Sequence, residues 1–352
     1  MDSPVDILSL DRAALTKWVT RTDSAFRADQ VWRWLWKQGE RDLDTMTNLP
    51  ASLRQRMASE AVMNTLELAG QQTAADGTIK FLFALASGRH VETVLIPDFD
   101  ESGQPTRMTV CVSSQVGCAM GCSFCATGLM GFQQNLTSGE IAEQVQRAHQ
   151  SALAIHDKGV TNVVFMGMGE PLLNLNGVLG AVDKLTAEDG FGLSPKRITV
   201  STVGLATRIR ELADMQVRFG LAVSLHAPFN SKRSSIMPVN RKAKTDLTSL
   251  MEAISYFTEK TGRRITYEYC MFSGFNDSVE DARELATLVR KAPSKVNLIM
   301  YNPVEGLGFH RSDEDALNAF IAELVRGDVT VTVRRSRGQD IDAACGQLAI
   351  NQ

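Results

Sequence analysis

From about residue 108 the chain repeats one pattern, and that repeat limits the folds open to it. Short β-type runs at 108–112, 162–166, 197–202, 219–225, 265–271, 295–300 and 329–334 alternate with helical periodicity, clearest at 138–153 and 246–261. Strands separated by helices of this length form βαβ units and a parallel sheet. Six or seven such units predict an α/β fold, either closed as a full or partial barrel or open as a doubly wound sheet. In all of these forms chemistry collects at the C-terminal ends of the strands. The residues found there are a cysteine loop at 117–125, Gly167-Met168-Gly169-Glu170-Pro171, Ser201-Thr202, Ser224-Leu225-His226, Tyr301-Asn302-Pro303 and, beyond the last strand, Cys345. Polar or reactive groups occupy nearly every position where an active site is expected.

Residues 1–75 read differently. At 25–36, Val31, Trp32, Leu35 and Trp36 recur at three- and four-residue spacing, so they share a helix face and Trp34 points away from it. A turn near Gly39 and a second helix at 51–58 follow. Core packing is the expectation for Trp32 and Trp36. Runs at 79–85 and 90–96, joined at Ser87-Gly88, predict a hairpin. The expected organisation is therefore a helical accessory domain (1–75) that meets RNA, a hairpin extension (76–104), the α/β body (105–335), and a C-terminal loop and tail (336–352).

The net charge of −3 conceals an asymmetry. Residues 194–244 hold ten basic side chains against Glu211 and Asp214, a net +8, and Arg334, Arg335 and Arg337 cluster further on. Both groups are candidate phosphate contacts on a polyanionic partner. No apolar run approaches the roughly 20 residues needed to cross a bilayer, and the first residues lack a signal-peptide pattern. The expectation is a cytoplasmic protein whose six cysteines are reduced thiols, ligands or catalytic groups.

Cys118, Cys122 and Cys125 form C-x3-C-x2-C, with Gly117 and Gly121 supplying backbone freedom. Three thiolates can hold a four-iron cluster and leave one iron open to substrate. A zinc site with Cys111 as fourth ligand is the alternative. Cys270 reads as a buried structural thiol. Gly167-Met168-Gly169 does not continue as a dinucleotide loop, because position 172 is Leu.

C-x3-C-x2-C with an aromatic before the last cysteine resembles the signature of the radical S-adenosylmethionine superfamily. Residues 167–171 resemble its glycine–glutamate motif. The strings at 112–118, 166–172 and 340–348 resemble, within that superfamily, the RlmN/Cfr family of RNA adenine methyltransferases, and the likeness runs from the helical unit to Leu348. The resemblance implies a partial (β/α)6 barrel, one 4Fe-4S cluster on Cys118, Cys122 and Cys125, and two S-adenosylmethionine per turnover. It assigns cofactor contacts to Gly169, Glu170, Ser201, Ser224, Leu225, His226 and Asn302. By the same likeness, a radical made from the cofactor takes hydrogen from a methyl group carried on Cys345, and the resulting carbon adds to adenine C2. Adenine C2 is electron-poor and cannot attack a methyl sulfonium directly, so a radical route suits it. Glu92 matches the proton acceptor. Cys111 matches the thiol that releases the covalent RNA adduct as a Cys111–Cys345 disulfide. The implied substrates are 23S ribosomal RNA and transfer RNA beside the anticodon, with an electron donor and a disulfide reductant as further partners and a monomer as the working form. A C8 methyltransferase and a zinc-stabilised, non-catalytic RNA-binding protein are the rival readings. One departure stands out: Met300-Tyr301 precedes Asn302 where the family pattern leads one to expect Pro-Trp.

Overall fold

A computed structural model describes residues 4–239 and 244–349. All seven expected runs in the α/β body are strands, and they pair in chain order. The main sheet has ten strands: β1 (Glu67–Thr73), β2 (Ile79–Ala84), β3 (His90–Phe99), β4 (Pro105–Cys111), β5 (Asn162–Phe165), β6 (Ile198–Thr202), β7 (Gly220–Ser224), β8 (Ile265–Met271), β9 (Ser294–Met300) and β10 (Val331–Arg334). Strands β4 to β10 are parallel, and β1 to β4 are antiparallel neighbours. Six strand–helix units thus end in a seventh parallel strand. The hairpin β2–β3 extends the barrel sheet at its β4 side.

The sheet curls without closing, since β1 and β10 remain its two edges. Its concave side encloses a lumen of about 440 Å³, walled by residues such as Ile96, Thr109, Asn162, Thr199, Glu268 and Arg334. This is the partial barrel expected, but its interior is polar where barrel interiors are ordinarily packed with branched apolar side chains. Register explains part of it. Glu268, Asn297 and Thr332 lie opposite one another on β8, β9 and β10. They join through Asn297 Nδ2 to Glu268 Oε2 (2.7 Å) and Thr332 Oγ1 to Asn297 Oδ1 (3.1 Å).

Helix boundaries follow local chemistry. Ser138–His156 opens on a Thr137/Glu140 capping box, and Val279–Val289 opens on a Ser278/Asp281 box. Leu247–Thr261 starts at Asp246, which accepts from Ser249 N–H, and stops at left-handed Gly262. Among the described residues no helix is long and apolar enough to cross a membrane.

The N-terminal unit is helical only to residue 60. Helices Ala25–Trp32 and Ala51–Glu60 match the sequence pattern, and the turns over Arg33–Gln38 widen before ending at left-handed Gly39. Trp32 and Trp36 are fully buried, and Trp34 is half-buried with its Nε1 donating to Asn48 Oδ1 at 2.6 Å. The unit is pinned to the barrel by Lys184, a buried ammonium from helix Leu175–Thr186. Lys184 donates to Ser138 Oγ at 2.9 Å and lies over both indole rings. Burial pushes its pKa down to about 8, with nearby carboxylates opposing. Residues Glu67–Thr73 correct the sequence expectation: they form edge strand β1, not part of a helical unit reaching to residue 75.

Candidate active site

The cysteine loop follows β4, and a short antiparallel ladder, Gln115–Gly117 against Phe132–Asn135, closes its base around residues 118–131. Gly117 has φ +68°, and a Cβ there would collide with the Gly131 carbonyl, which accepts from Cys118 N–H at 3.0 Å. The wrapping therefore requires glycine. Burial pushes the Cys122 thiol up, and the neighbouring Cys125 and Cys118 sulfurs add to the shift, so the three sulfurs lie near one another. Among the described residues no three His, Cys, Asp or Glu side chains meet at a point suited to one ion. A four-iron cluster asks each thiol for a different iron, so its sulfurs need to ring a body instead of meeting at a point. A loop cradle with three thiols and, among the described residues, no fourth ligand fits that donor set. The fourth zinc ligand considered from sequence does not join them: the thiol that acts on Cys111 is Cys345.

Beside the loop, a cavity of about 130 Å³ opens across the strand ends. Gly169, Glu170, Ser201, Ser224 and His226 all line it, and Cys345 lies at its edge. Gly169 adopts φ +99°, and a Cβ would come within 2.6 Å of Gln115 Cβ. That close approach lets Gln115 Oε1 accept from Glu170 N–H at 2.8 Å. The Glu170 carboxylate accepts from Leu172 N–H (3.0 Å) and Val203 N–H (2.8 Å), so both oxygens are held. Burial nevertheless pushes its pKa up to about 7, opposed by those hydrogen bonds. A buried carboxylate in this state favours a cationic ligand such as an ammonium. His226, at φ +55°, accepts from Cys270 N–H on Nδ1 at 2.9 Å. Burial pushes it down to about 3, so the ring is neutral and its proton sits on Nε2, a donor.

Two of the expected cofactor contacts lie apart from this lining. Leu225 is fully buried, with its N–H donated to Glu268 O and its carbonyl accepting from Ala227 N–H. Asn302 instead holds the C-terminal loop: its Nδ2 donates to Cys345 O at 3.3 Å, and its Oδ1 accepts from Gln339 Nε2 at 3.0 Å. Tyr301 lines the cavity and packs on Phe272, with centroids 5.1 Å apart.

The C-terminal loop is tied directly to the cysteine loop. Ala126 N–H, next to Cys125, donates to Gly346 O at 2.8 Å, and Thr127 Oγ1 donates to Leu348 O at 2.5 Å. Cys345 is thereby held half-buried between the cavity and the lumen, where it lines both. Cys111, at the end of β4, is buried on the lumen side, and burial with the Cys345 sulfur pushes its thiol up to about 12. Burial also pushes the Cys345 thiol up, and Arg334 opposes both shifts. Burial works against its charge, but Cys345, Glu268 and Cys111 together outweigh that and keep it cationic.

Glu92 lies on β3, in the same alternation as Ile96 and Asp98 of the lumen wall. It is buried, and it lines a separate cavity of about 390 Å³ between the hairpin extension and the C-terminal loop. Oε1 meets Lys80 Nζ at 3.4 Å. Oε2 is buried without a well-formed hydrogen bond among the described residues. Burial pushes its pKa up, and Lys80 and the Ala349 backbone draw it back.

Several sequence expectations need correction. Arg233 is not a surface phosphate contact: it is fully buried, donates to Val203 O at 2.5 Å and feels the Cys122 sulfur. Lys232 is paired with Asp281 at 2.7 Å, and Arg334 points into the lumen. Exposed Lys196, Arg197, Arg218 and Lys244 remain available, whereas Arg241 and Lys242 lie outside the described residues. Cys270 is a buried thiol in its strand, as expected, and also lines the cavity beside Glu170. Sequence reading also missed Lys80, Gln115 and Glu268. Only Glu268 left a signal, because it alternates with Thr266 and Cys270 along β8 and so shares their inner face.

Comparison with known proteins places the chain in a family. Residues 112–286 match the radical SAM superfamily, and residues 5–63 match the ribosomal RNA large subunit methyltransferase N-terminal domain. A crystal structure of a radical SAM methyltransferase from Sphaerobacter thermophilus superposes with a TM-score of 0.90, at 42% identity over 98% of this chain and 99% of that one. Fold and site thus define a radical S-adenosylmethionine methyltransferase. A probable dual-specificity RNA methyltransferase RlmN of Salinibacter ruber is 57% identical over 98% of this chain and 94% of its own length. The dual-specificity RNA methyltransferase RlmN of Nitratidesulfovibrio vulgaris (strain Miyazaki F) is 48% identical over 99% and 95%. The chain belongs to the RlmN family.

Proposed function

We propose that this protein methylates C2 of adenine in 23S ribosomal RNA and in transfer RNA beside the anticodon, working in the cytoplasm as a monomer. The observation that carries the reading is Cys345, at the edge of the Glu170 cavity and bonded through Gly346 to the residue after Cys125. One cysteine there can receive a methyl group from a cofactor in the cavity and present it to RNA from the lumen side.

Cys118, Cys122 and Cys125 would hold a 4Fe-4S cluster. Gly169, Glu170, Ser201, Ser224 and His226 would hold S-adenosylmethionine, with Leu225 and Asn302 supporting the strand end and the loop. Together the cluster and cofactor supply a carbon radical able to take hydrogen from a methyl group. Two S-adenosylmethionine per turnover account for one methyl donor and one radical source. Once the methylene carbon has bonded to C2, Glu92 accepts the proton leaving C2, and the unpaired electron left on the base would return to the cluster that supplied it, so that the adduct is closed-shell. Cys111, as thiolate, then attacks the Cys345 sulfur; the sulfur–carbon bond breaks toward the methylated base, which takes up a proton, and a Cys111–Cys345 disulfide remains. An external dithiol restores both thiols, and a separate electron donor serves the cluster. Arg334, facing both sulfurs, stabilises the attacking thiolate. The helical unit up to residue 60, with Lys196, Arg197 and Arg218, contacts RNA phosphates.

The test is nucleoside mass spectrometry on RNA treated with anaerobically purified enzyme. We expect 2-methyladenosine; 8-methyladenosine would overturn the C2 assignment. A colourless protein with stoichiometric zinc would overturn the radical chemistry itself.

A further inference from the structure

The hairpin extension does more than lengthen the sheet. Its inner face, with Lys80 and Leu82 on β2 opposite Val94 and Glu92 on β3, looks toward the C-terminal loop across the 390 Å³ cavity. Three polar contacts fasten that loop to the extension and its turns. Ala75 N–H donates to Asp340 Oδ2 (2.9 Å), Gly338 N–H donates to Asp76 Oδ2 (2.9 Å), and Lys80 Nζ reaches Asp342 O (3.5 Å). Lys80 is also the side chain 3.4 Å from Glu92 Oε1, in a pair that is largely buried on both sides. Asp342 adopts φ +52°, an uncommon left-handed conformation for a residue with a side chain, so the turn carrying the Lys80 contact is specifically shaped.

We propose that Lys80 is a positioning residue, whose single ammonium holds both the Glu92 carboxylate and the Asp342 carbonyl and so sets base and Cys345 loop together. This rests on the reading of Glu92 as proton acceptor. The charged groups facing Glu92 are Lys80 from β2 and Asp340 and Asp342 from the C-terminal loop; the β1 side offers uncharged Gln71 and Gln72. Lys80 is the one cation in this set. Seating the loop brings Asp342 nearer to Glu92, which disfavours the carboxylate, and Lys80 offsets that while taking the loop carbonyl as a second partner. The base is thus kept ionised while Cys345 is in place.

The experiment compares wild type with Lys80→Met, Lys80→Gln, Lys80→Arg and Glu92→Gln, each reconstituted and checked for iron content and S-adenosylmethionine binding. Two readouts are followed. One is the single-turnover methylation rate against pH; the other is iodoacetamide labelling of Cys345 without RNA, located by peptide mass spectrometry. Removing the cation raises the Glu92 pKa, so the acidic limb should move up by roughly one pH unit or more in Lys80→Met and Lys80→Gln. Cys345 should label several-fold faster in the same variants, and Lys80→Arg should restore both properties. Superposable pH profiles with unchanged labelling in folded, iron-loaded Lys80→Met and Lys80→Gln would overturn the proposal. A Glu92→Gln enzyme with full activity would instead overturn the assignment of the base, and the labelling arm would still report whether Lys80 holds the loop.

Discussion

Two buried glutamates at this site have opposite surroundings. Glu170, at the end of β5, has each oxygen on a backbone N–H, and its own N–H is fixed by Gln115. Glu92, on the extension, has one oxygen against a flexible ammonium and the other without a well-formed partner. Burial raises the pKa of both. A carboxylate gripped by main chain keeps its position and serves as a binding post. One with an oxygen to spare can take up a proton without breaking a network. The same residue type is thus divided into holder and mover by what the fold leaves unpaired, and the C-terminal loop joins the two regions.

Cutting the joint itself should have the largest effect. Cys345→Ala is expected to give no methylated RNA above background while retaining full iron content, measured by methyl incorporation alongside iron analysis. Cys111→Ala should pass the methylene transfer but leave RNA covalently attached, visible as a shifted band on denaturing gels; free methylated product from that variant would refute its role.

Substituting the two glutamates sharpens the contrast. Glu92→Gln should bind S-adenosylmethionine normally and lose roughly 10²- to 10⁴-fold in methylation rate. Glu170→Gln should instead weaken cofactor binding roughly 10- to 100-fold, the worth of a charge-assisted contact. If both variants failed in the same assay, the division between holder and mover would collapse.

Titration gives a smaller effect. Glu170 ionises near pH 7, and only its carboxylate pairs with an ammonium, so cofactor affinity should rise about tenfold from pH 6 to 8 in calorimetry. The sign for stability is the reverse. A carboxyl whose pKa is raised by folding makes the ligand-free protein less stable as pH climbs from its unfolded value near 4.5 toward 7. The smallest effect is expected outside the site: Arg197→Ala should weaken RNA binding a few-fold and flatten its salt dependence, with cofactor binding untouched.

The barrel was legible because its strands are short β-branched and aromatic runs set between helical patterns, as in the Ile265–Met271 strand, even though Thr266 and Glu268 there face a polar lumen. The cysteine spacing, the Gly169-Glu170 turn and the Ser224–His226 strand end were legible because chemistry in this fold occurs where strands stop. Strand β1 was not. Glu67–Thr73 is almost wholly exposed and polar, and it is a strand only because β2 offers it hydrogen bonds. Arg233 was also misread, since a count of basic residues does not show which side chains turn inward. Lys80 left no trace in its own run, because its two partners lie 12 and 262 residues further along the chain.

The bond between Ala126 and Gly346 also bears on how the enzyme comes into being. The three thiols proposed as cluster ligands and Glu170 are encoded ahead of Cys345, the proposed methyl carrier. Synthesis therefore makes the cysteine loop and the strands up to β9 first, and Cys345 follows the end of β10 by 11 residues. A chain interrupted in between has the residues for making a radical but no sulfur on which to spend it. Completion of the polypeptide is in this sense the last safety catch on the chemistry.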